Sequence, residues 1–329
     1  MGTLRFDGQV AVVTGAGRNL GRAYALALAE RGAHVVVNDL GVAISDTDGS
    51  GAGPERNPAL DVVREIEELG GSAVANTDSI ASAEGGAAII RTAVEAFGRV
   101  DIVVNNAGVV RSAPFADLTP DLVRPVLDTQ LAGIFHVTGP AWRLMAEQGY
   151  GRVVNISSGS AFSGVAGLAA YGGAKAGVIG MTRQMATEGA GLGIRANVVA
   201  PYAKTRPGSG FGPFPPSDEL NAWLRPEFLT PLITLLAHAE CPVSGECFAA
   251  GAGYISRVVL STTQGLFDRD MTPDTLLRDW AQVMDTDDMR ALHHDGGGTM
   301  EKMIIPFAAQ YSTRDPVQGS AQDPAEGSA

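Results

Sequence analysis

The sequence predicts an α/β protein in which one parallel β-sheet lies buried between two layers of helices. Short, nearly all-apolar runs such as Val10–Thr14 alternate with longer segments of helical composition. A strand without polar alternation is buried on both faces, and a helix between two strands makes those strands parallel. With right-handed connections, the result is a doubly wound sheet.

The elements follow one another regularly along the chain. The seven predicted strands lie at 10–14, 33–39, 72–76, 100–106, 151–157, 194–200 and 245–250. The predicted helices lie at 20–32, 58–69, 82–97, 120–147 and 163–190. We therefore expect a single Rossmann-type domain with a seven-stranded parallel sheet over residues 1–285. Residues 286–329 form a predicted C-terminal extension that ends in a disordered tail.

Two segments interrupt this alternation. Residues 41–57 are polar and rich in glycine, which predicts a surface insertion. Residues 202–227 are rich in proline and glycine and separate two strands. Long irregular connections of this kind commonly form a substrate loop, although an ordinary surface loop has the same composition.

Composition and charge exclude several classes of partner. The chain of 329 residues is 45% hydrophobic and 18% charged, with a formal net charge of −12. Such a charge argues against nucleic acid or an anionic membrane. Only two cysteines occur, Cys241 and Cys247, which is no disulfide framework and suits a reducing compartment. No apolar run approaches the ~18 residues of a membrane span and no signal-peptide pattern begins the chain, so we expect a cytoplasmic protein.

A glycine-rich loop, "TGAGRNLG" (14–21), follows the first predicted strand. Gly15 and Gly17 permit a tight turn and a close approach to phosphates, and the helix that begins near Leu20 and Gly21 points its N-terminus at them. Asp39 ends the second strand, 18 residues after Gly21, where a carboxylate can bind an adenosine ribose. Alone, such a loop is a weak signal of dinucleotide binding.

Further motifs strengthen this signal. "NNAG" (105–108), and Ser158 followed 13 residues later by "YGGAK" (171–175), accompany the loop. Together they resemble the short-chain dehydrogenase/reductase family over roughly residues 7–260, and the family's T-G-x-x-x-G-x-G loop has this spacing. Asn19 stands where the family has its middle glycine. Asn is the non-glycine residue that best tolerates positive φ, so the turn is expected to persist.

A narrower resemblance concerns the (3R)-hydroxyacyl-CoA dehydrogenase branch found in peroxisomal multifunctional enzymes of type 2. "VNDLG", "RPEFLTPL" and "GAGYISRV" carry it. It implies an oxidoreductase that transfers hydride between NAD(H) and a secondary alcohol or ketone of the 3-hydroxyacyl-CoA type. The same chemistry on a steroid or cyclic alcohol, or a dinucleotide-binding protein without catalysis, are the alternatives.

Four residues form the predicted catalytic group. Lys175 lies four residues after Tyr171, so a helix places both side chains on one face. The ammonium would favour the phenolate and lower the pKa of Tyr171, which then moves the substrate proton. Ser158 would hydrogen-bond the substrate oxygen. Gln130 replaces the family's Asn and is predicted either to hold a water in the proton relay or to be an ordinary helix residue.

The predicted cofactor is NAD rather than NADP. Asp39 would repel a 2′-phosphate, whereas Arg18 in the glycine loop could accept one; Asp39 carries more weight because it would face the ribose. The resemblance implies that the cofactor also contacts Arg18, Asn19, Leu20, Asp78, Ser79, Asn105, Ala107, Gly108, Tyr171, Lys175, Pro201 and Thr205. Asp78 could equally be an ordinary turn residue.

Neither a metal nor a macromolecular ligand is expected. His293 and His294 have no carboxylate or cysteine cluster at ligand spacing, so we predict no metal site. Small residues along 161–181 suit close helix packing. The resemblance implies that this face joins subunits in a homodimer or homotetramer, although burial within one subunit would explain the composition too.

Overall fold

The structure, a computed structural model, describes residues 4–41, 57–203, 223–268 and 270–294. Most of the predicted insertion at 41–57, most of the loop at 202–227 and the predicted tail lie outside these ranges. The chain divides into two compact units, Met1–Val258 and Val259–Ala329. This division comes earlier in the chain than the boundary at residue 285 expected from the sequence. No helix among the described residues is long and apolar enough to cross a bilayer.

The first unit is built on an eight-stranded sheet with the order β3-β2-β1-β4-β5-β6-β7-β8. The strands in chain order are Val10–Thr14, His34–Asn38, Ser72–Asn76, Ile102–Asn105, Gly151–Ile156, Ile194–Pro201, Cys247–Gly251 and Tyr254–Val258. The first seven pair in parallel, which confirms the predicted doubly wound arrangement. The order reverses between β1 and β4, so the loops that follow these two strands meet at the carboxyl edge of the sheet.

The predicted strand count of seven was wrong by one. β8 (Tyr254–Val258) runs antiparallel to β7 and pairs Tyr254 with Gly251. The two strands are joined by a two-residue turn in which Ala252 and Gly253 both have positive φ, +52° and +78°. Ala is uncommon in that conformation, so the hairpin lacks the turn residues by which such a connection is recognised.

Helices cover both faces of the sheet. In chain order they are α1 (Asn19–Ala29), α2 (Pro58–Glu68), α3 (Ala83–Phe97), α4 (Pro120–Leu127), α5 (Gly133–Gln148), α6 (Ala169–Gly189) and α7 (Thr230–Ala237). The long helix predicted at 120–147 is instead two helices joined by a π-helical turn at Asp128–Ala132. A π turn keeps apolar residues near helical spacing, and periodicity alone therefore does not reveal it.

Alternate residues of each inner strand face opposite cores. Ala11 and Val13 pack into the cluster formed with α1, α2 and α7. Val10 and Val12 face the cluster formed with α3 and α5. All four side chains are 0% exposed. Burial on both faces explains why these strands read as continuous apolar runs.

The second unit contains short elements. β9 (Ser261–Thr262) pairs antiparallel with β10 (Arg290–Ala291). Two short helices, α8 (Pro273–Arg278) and α9 (Trp280–Met284), lie between them in the chain. Thr272 caps α8 by accepting a hydrogen bond from the backbone N–H of Thr275, which itself donates back through its hydroxyl group to the Thr272 carbonyl.

Candidate active site

The glycine loop turns tightly against the loop that follows β4. Gly15 has φ +63°, and a Cβ atom placed on it would lie 2.7 Å from the Cα atom of Ala107. A Cβ on Gly21 would overlap the carbonyl oxygen of Gly15. Asn19 begins α1 with φ +48°, which confirms that Asn takes the left-handed conformation at the position of the family's middle glycine. Side chains are therefore excluded at Gly15 and Gly21.

Asp39 supports this loop from the end of β2. Its Oδ2 atom accepts a hydrogen bond from the backbone N–H of Gly17 at 3.0 Å, and its Oδ1 atom accepts one from Gly41 at 2.9 Å. The side chain is only half-buried. Since a carboxylate offers about four acceptor positions, Asp39 keeps acceptor capacity beside the loop.

The second asparagine of "NNAG", which the sequence analysis did not single out, holds the two loops together. Nδ2 of Asn106 donates to the carbonyl oxygens of Thr14 (3.0 Å) and Gly15 (3.1 Å). Oγ1 of Thr14 in turn accepts from the backbone N–H groups of Asn106 and Ala107. The sequence shows the pair of asparagines, but it does not indicate which of the two amides faces the glycine loop.

The amide of Asn105, by contrast, lies within the core. It is 6% exposed, and its Nδ2 donates to Thr138 (2.9 Å) and to Oδ1 of Asn155 (2.8 Å). Nδ2 of Asn155 continues the network to Thr182 at 2.9 Å. Asn105 therefore supports the carboxyl end of β4 from below, and its side chain has no hydrogens left for a cofactor.

Asp78 and Ser79 follow β3 at the same edge of the sheet. Oδ2 of Asp78 accepts from Nδ2 of Asn76 at 2.7 Å, and the Asp78 carbonyl accepts from Asn38 at 2.9 Å. The Asp78 side chain is exposed. Ser79 accepts from the backbone of Ala81 at 3.2 Å. Buried amides thus hold a solvent-accessible carboxylate near Asp39.

Lys175 is buried beneath the ring of Tyr171 on α6. Its side chain is 4% exposed, its Nζ atom donates to the carbonyl of Ile156 at 2.6 Å, and it lies 5.8 Å from the Tyr171 ring centroid. Burial lowers the pKa of Lys175 to about 7. Tyr171 itself is half-buried. The helical spacing predicted from the sequence thus places the buried amine near the Tyr171 ring.

The two serines at the end of β5 have different surroundings. Ser157 is 2% exposed, and its hydroxyl donates to the Lys175 carbonyl at 2.8 Å. Ser158 is half-buried and begins the 3₁₀ turn Gly159–Ala161. Its Oγ atom accepts hydrogen bonds from the backbone and the hydroxyl of Ser160. The Ser157 hydroxyl is thus committed to the fold, whereas the Ser158 hydroxyl hydrogen can reach a ligand.

Gln130 lies in the π-helical turn and is 3% exposed. Its Nε2 atom donates to the carbonyl of Val109 at 2.8 Å. Oε1 is buried and has no hydrogen-bond partner within the described part of the chain. A Cβ atom on Gly108 would overlap the Gln130 amide, so the two residues are matched in size. An unmatched buried acceptor is costly unless water or a ligand satisfies it.

The start of α1, at the carboxyl edge of the sheet, has the features of a phosphate-binding site for a dinucleotide. Arg18, the residue before α1, makes no side-chain capping bond, and the first turn of α1 carries no acidic residue. The first backbone N–H groups of α1 therefore stay available for phosphate. Pro201 ends β6 at the same edge, and the N–H of Tyr202 donates to Ala250 at 2.6 Å.

Three further expectations from the sequence concern Thr205, a metal site and the two cysteines. Thr205 is outside the described residues. Among the residues that the structure does describe, no group of three His, Cys, Asp or Glu side chains could hold a metal. Cys241 and Cys247 are buried and form no disulfide.

Known proteins are similar in sequence to this chain over most of its length. The model of the short chain dehydrogenase family matches residues 9–205. The peroxisomal multifunctional enzyme type 2 of Mus musculus is 41% identical over 286 residues, 86% of this chain and 37% of that protein. A short-chain type dehydrogenase/reductase of Mycobacterium tuberculosis is 43% identical over 84% of this chain and 94% of its own. The chain thus spans little more than a third of the mouse enzyme.

Solved structures lead to the same family. The full-length peroxisomal multifunctional enzyme type 2 of Drosophila melanogaster superimposes with a TM-score of 0.76 at 30% identity, covering 94% of this chain and 50% of that one. A short chain dehydrogenase from Mycobacterium avium gives a TM-score of 0.72 at 35% identity, covering 84% and 95%. The chain belongs to the short-chain dehydrogenase family, NAD(P)-dependent oxidoreductases that act on CH–OH groups.

Proposed function

We propose that the protein is an NAD-dependent dehydrogenase of 3-hydroxyacyl-CoA thioesters. The observation that carries the chemistry is the buried Lys175 amine under the Tyr171 ring, at the sheet edge where the glycine loop opens. The substrate class rests on the likeness to the multifunctional enzymes, which include peroxisomal hydratase-dehydrogenase-epimerases of Neurospora crassa and Saccharomyces cerevisiae, each 39% identical over 86% of this chain.

In this mechanism each catalytic side chain has one task. Ser158 donates its hydroxyl hydrogen to the substrate oxygen and so orients the alcohol. Tyr171 takes the alcohol proton as the C–H bond breaks. Lys175 would hold the nicotinamide ribose, and its ammonium form would favour the charged phenolate. When bound, the nicotinamide supplies the acceptor for the hydride. Reduction of the ketone uses the same groups in reverse.

Gln130 is proposed to hold a water in the proton relay. Its Oε1 atom is buried and unmatched, while its Nε2 atom is already bound to Val109. A water that donates to Oε1 would satisfy this acceptor, and it would lie behind the loop that carries Gly108. Gln130→Leu keeps the volume of the side chain and removes the amide. We expect this variant to have a lower kcat, because proton transfer is slower, and a nearly unchanged affinity for the cofactor.

The dinucleotide is proposed to lie across the meeting point of the β1 and β4 loops. Its pyrophosphate would face the start of α1, and its adenosine the exposed Asp78 carboxylate and Asp39. The residues assigned to it are Gly15, Gly17, Arg18, Asn19, Leu20, Gly21, Asp39, Asp78, Ser79, Ala107, Gly108, Tyr171, Lys175, Pro201 and Thr205. Asn105 supports this region only through the position of β4.

The preference for NAD over NADP can be tested at Asp39. Asp39→Asn removes the charge and keeps one oxygen acceptor for the loop, whereas Asp39→Ala removes both hydrogen bonds to Gly17 and Gly41. If the charge repels a 2′-phosphate, Asp39→Asn raises kcat/KM for NADP relative to NAD. Equal use of both cofactors by the unmutated protein would contradict the preference.

The reaction itself is tested with Tyr171→Phe. Loss of the hydroxyl is expected to lower kcat by at least about 100-fold, the usual contribution of a general acid–base group. Tyr254→Phe is the matched control, because that tyrosine is 68% exposed on the edge strand. An unchanged rate in Tyr171→Phe would remove the proposed mechanism.

A panel of alcohols tests the substrate class. Racemic 3-hydroxyacyl-CoAs of several chain lengths and a set of hydroxysteroids are compared by NADH formation. We expect turnover of the thioesters. Rapid oxidation of a steroid with none of any thioester would replace the proposed substrate class and keep the chemistry.

We also propose that the protein forms a homodimer or homotetramer through the outer face of α5 and α6. A groove of about 390 Å³ lies there, lined by Phe135, Thr138, Gly139, Trp142, Arg143, Met181, Gln184, Met185 and Glu188. Phe135 is 57% exposed in the single subunit. Light scattering of the protein and of Phe135→Glu tests this. The cytoplasm remains the predicted location, although the relatives named above include peroxisomal proteins.

A further inference from the structure

A second serine lies beside the proposed catalytic serine. The Ser160 hydroxyl donates to Oγ of Ser158 at 3.0 Å, and the backbone N–H of Ser160 donates to the same atom at 3.3 Å. Both contacts fall within the turn Gly159–Ala161 that Ser158 begins. Ser160 belongs to none of the motifs described above.

These two bonds determine what the Ser158 hydroxyl can still do. A serine hydroxyl has one hydrogen to donate and two lone pairs to accept with. With Ser160 as the donor in both contacts, both lone pairs of Ser158 are filled, and Ser158 keeps its hydrogen to donate. Hydrogen bonds accepted by a hydroxyl also polarise it and strengthen the bond that it donates. Ser157 offers a contrast, since its hydrogen is used by the Lys175 carbonyl.

The position of Ser160 is set by the helix that carries Tyr171. A Cβ atom on Gly172 would lie 2.9 Å from the carbonyl oxygen of Ser160. The turn therefore packs directly against the first turn of α6, one residue after Tyr171. Only glycine at 172 permits this approach without displacing the Ser160 backbone.

We propose that Ser160 is a positioning residue for the dehydrogenase reaction: it saturates the acceptors of Ser158 and thereby directs the Ser158 hydroxyl hydrogen to the substrate oxygen. The proposal rests on the proposed function, because it assigns Ser160 a role that acts through Ser158.

The test is a double-mutant cycle at these two serines. Ser160→Ala, Ser158→Ala and the double variant are assayed with NAD and the alcohol of the panel that is oxidised fastest. Ser160→Ala keeps the backbone N–H and loses one neutral hydrogen bond, so kcat is expected to fall by about 3- to 10-fold with little change in KM. In the Ser158→Ala background the same change is expected to have no further effect.

Two further variants complete the experiment. Ser160→Thr keeps a hydroxyl and is expected to retain most of the rate. Ser163→Ala is the matched control, since Ser163 is an exposed serine of the same segment, and it should behave as the unmutated protein. Thermal unfolding of every variant separates a loss of rate from a loss of fold.

The outcomes distinguish this inference from the proposed function. If Ser158→Ala is inactive while Ser160→Ala has the unmutated rate, only the inference fails. If Ser160→Ala lowers the rate equally with and without Ser158, Ser160 acts elsewhere and the inference also fails. An unchanged rate in Ser158→Ala would remove the serine from the proposed mechanism, whatever Ser160 does.

Discussion

The two ends of the central sheet differ in how they use buried charge. At the amino end, Arg152 is 5% exposed, and its guanidinium donates to the carbonyls of Gly151, Gly193, His238 and Ala239 at 2.7–3.2 Å. It also stacks 4.4 Å from the Tyr150 ring centroid. Asp101, 0% exposed, accepts from the N–H of Val10 and pairs with Arg99. The hydrogen bonds of these charged groups connect segments that are far apart in the sequence.

At the carboxyl end the polar groups keep hydrogen-bond donors or acceptors that no described residue uses. Lys175 has three donor hydrogens and one carbonyl acceptor, Ile156, among the described residues. Asp39 accepts from two backbone N–H groups and is half-buried. Gln130, an uncharged amide at the same end, has an oxygen that no described residue binds. The comparison teaches that a polar group whose donors and acceptors are mostly bound within the fold has a structural role. A group that keeps unused donors or acceptors marks a place where a ligand is expected.

The largest effect is expected at the amino end. Arg152→Met leaves backbone carbonyls without donors and should lower the free energy of unfolding by about 3 kcal/mol. Arg91→Met, on an exposed position of α3, is the matched control. Urea unfolding followed by circular dichroism measures both. Equal midpoints for the two variants would show that the Arg152 hydrogen bonds contribute no net stability.

The next largest effect is expected at the glycine loop. In Gly21→Ala the new methyl group would overlap the Gly15 carbonyl, so the loop must open and NAD affinity should fall on the order of 100-fold. Gly191→Ala is the control, since a Cβ there meets no atom within 4 Å. Isothermal titration with NAD compares them, and similar affinities would refute the close contact between these loops.

The burial of Lys175 leads us to expect that the stability of the protein depends on pH. Burial lowers its pKa from 10.5 to about 7, so the folded state binds fewer protons than the unfolded state between these values. The free energy of unfolding contributed by this group therefore rises with pH over that window, by at most about 1.4 kcal/mol per unit, and is constant below it. Lys175→Met should reduce this slope. An equal slope in both proteins would mean that the amine is not buried.

The smallest effect is expected at Tyr24, away from both ends of the sheet. The ring is 0% exposed and its hydroxyl has no partner among the described residues. Tyr24→Phe removes an unmatched polar group and should raise the free energy of unfolding by up to about 1 kcal/mol. Tyr254→Phe provides the exposed control. A clear loss of stability would reveal a hydrogen bond to a buried water.

The sequence by itself determined the parallel strands, the glycine loop and the stacking of Tyr171 over Lys175, because each follows from residues a few positions apart. Only the tertiary structure decided which of Asn105 and Asn106 faces the loop, and where the edge strand Tyr254–Val258 and the π turn at Asp128–Ala132 lie. Those outcomes depend on hydrogen-bond partners and packing from distant parts of the chain, which no local pattern records.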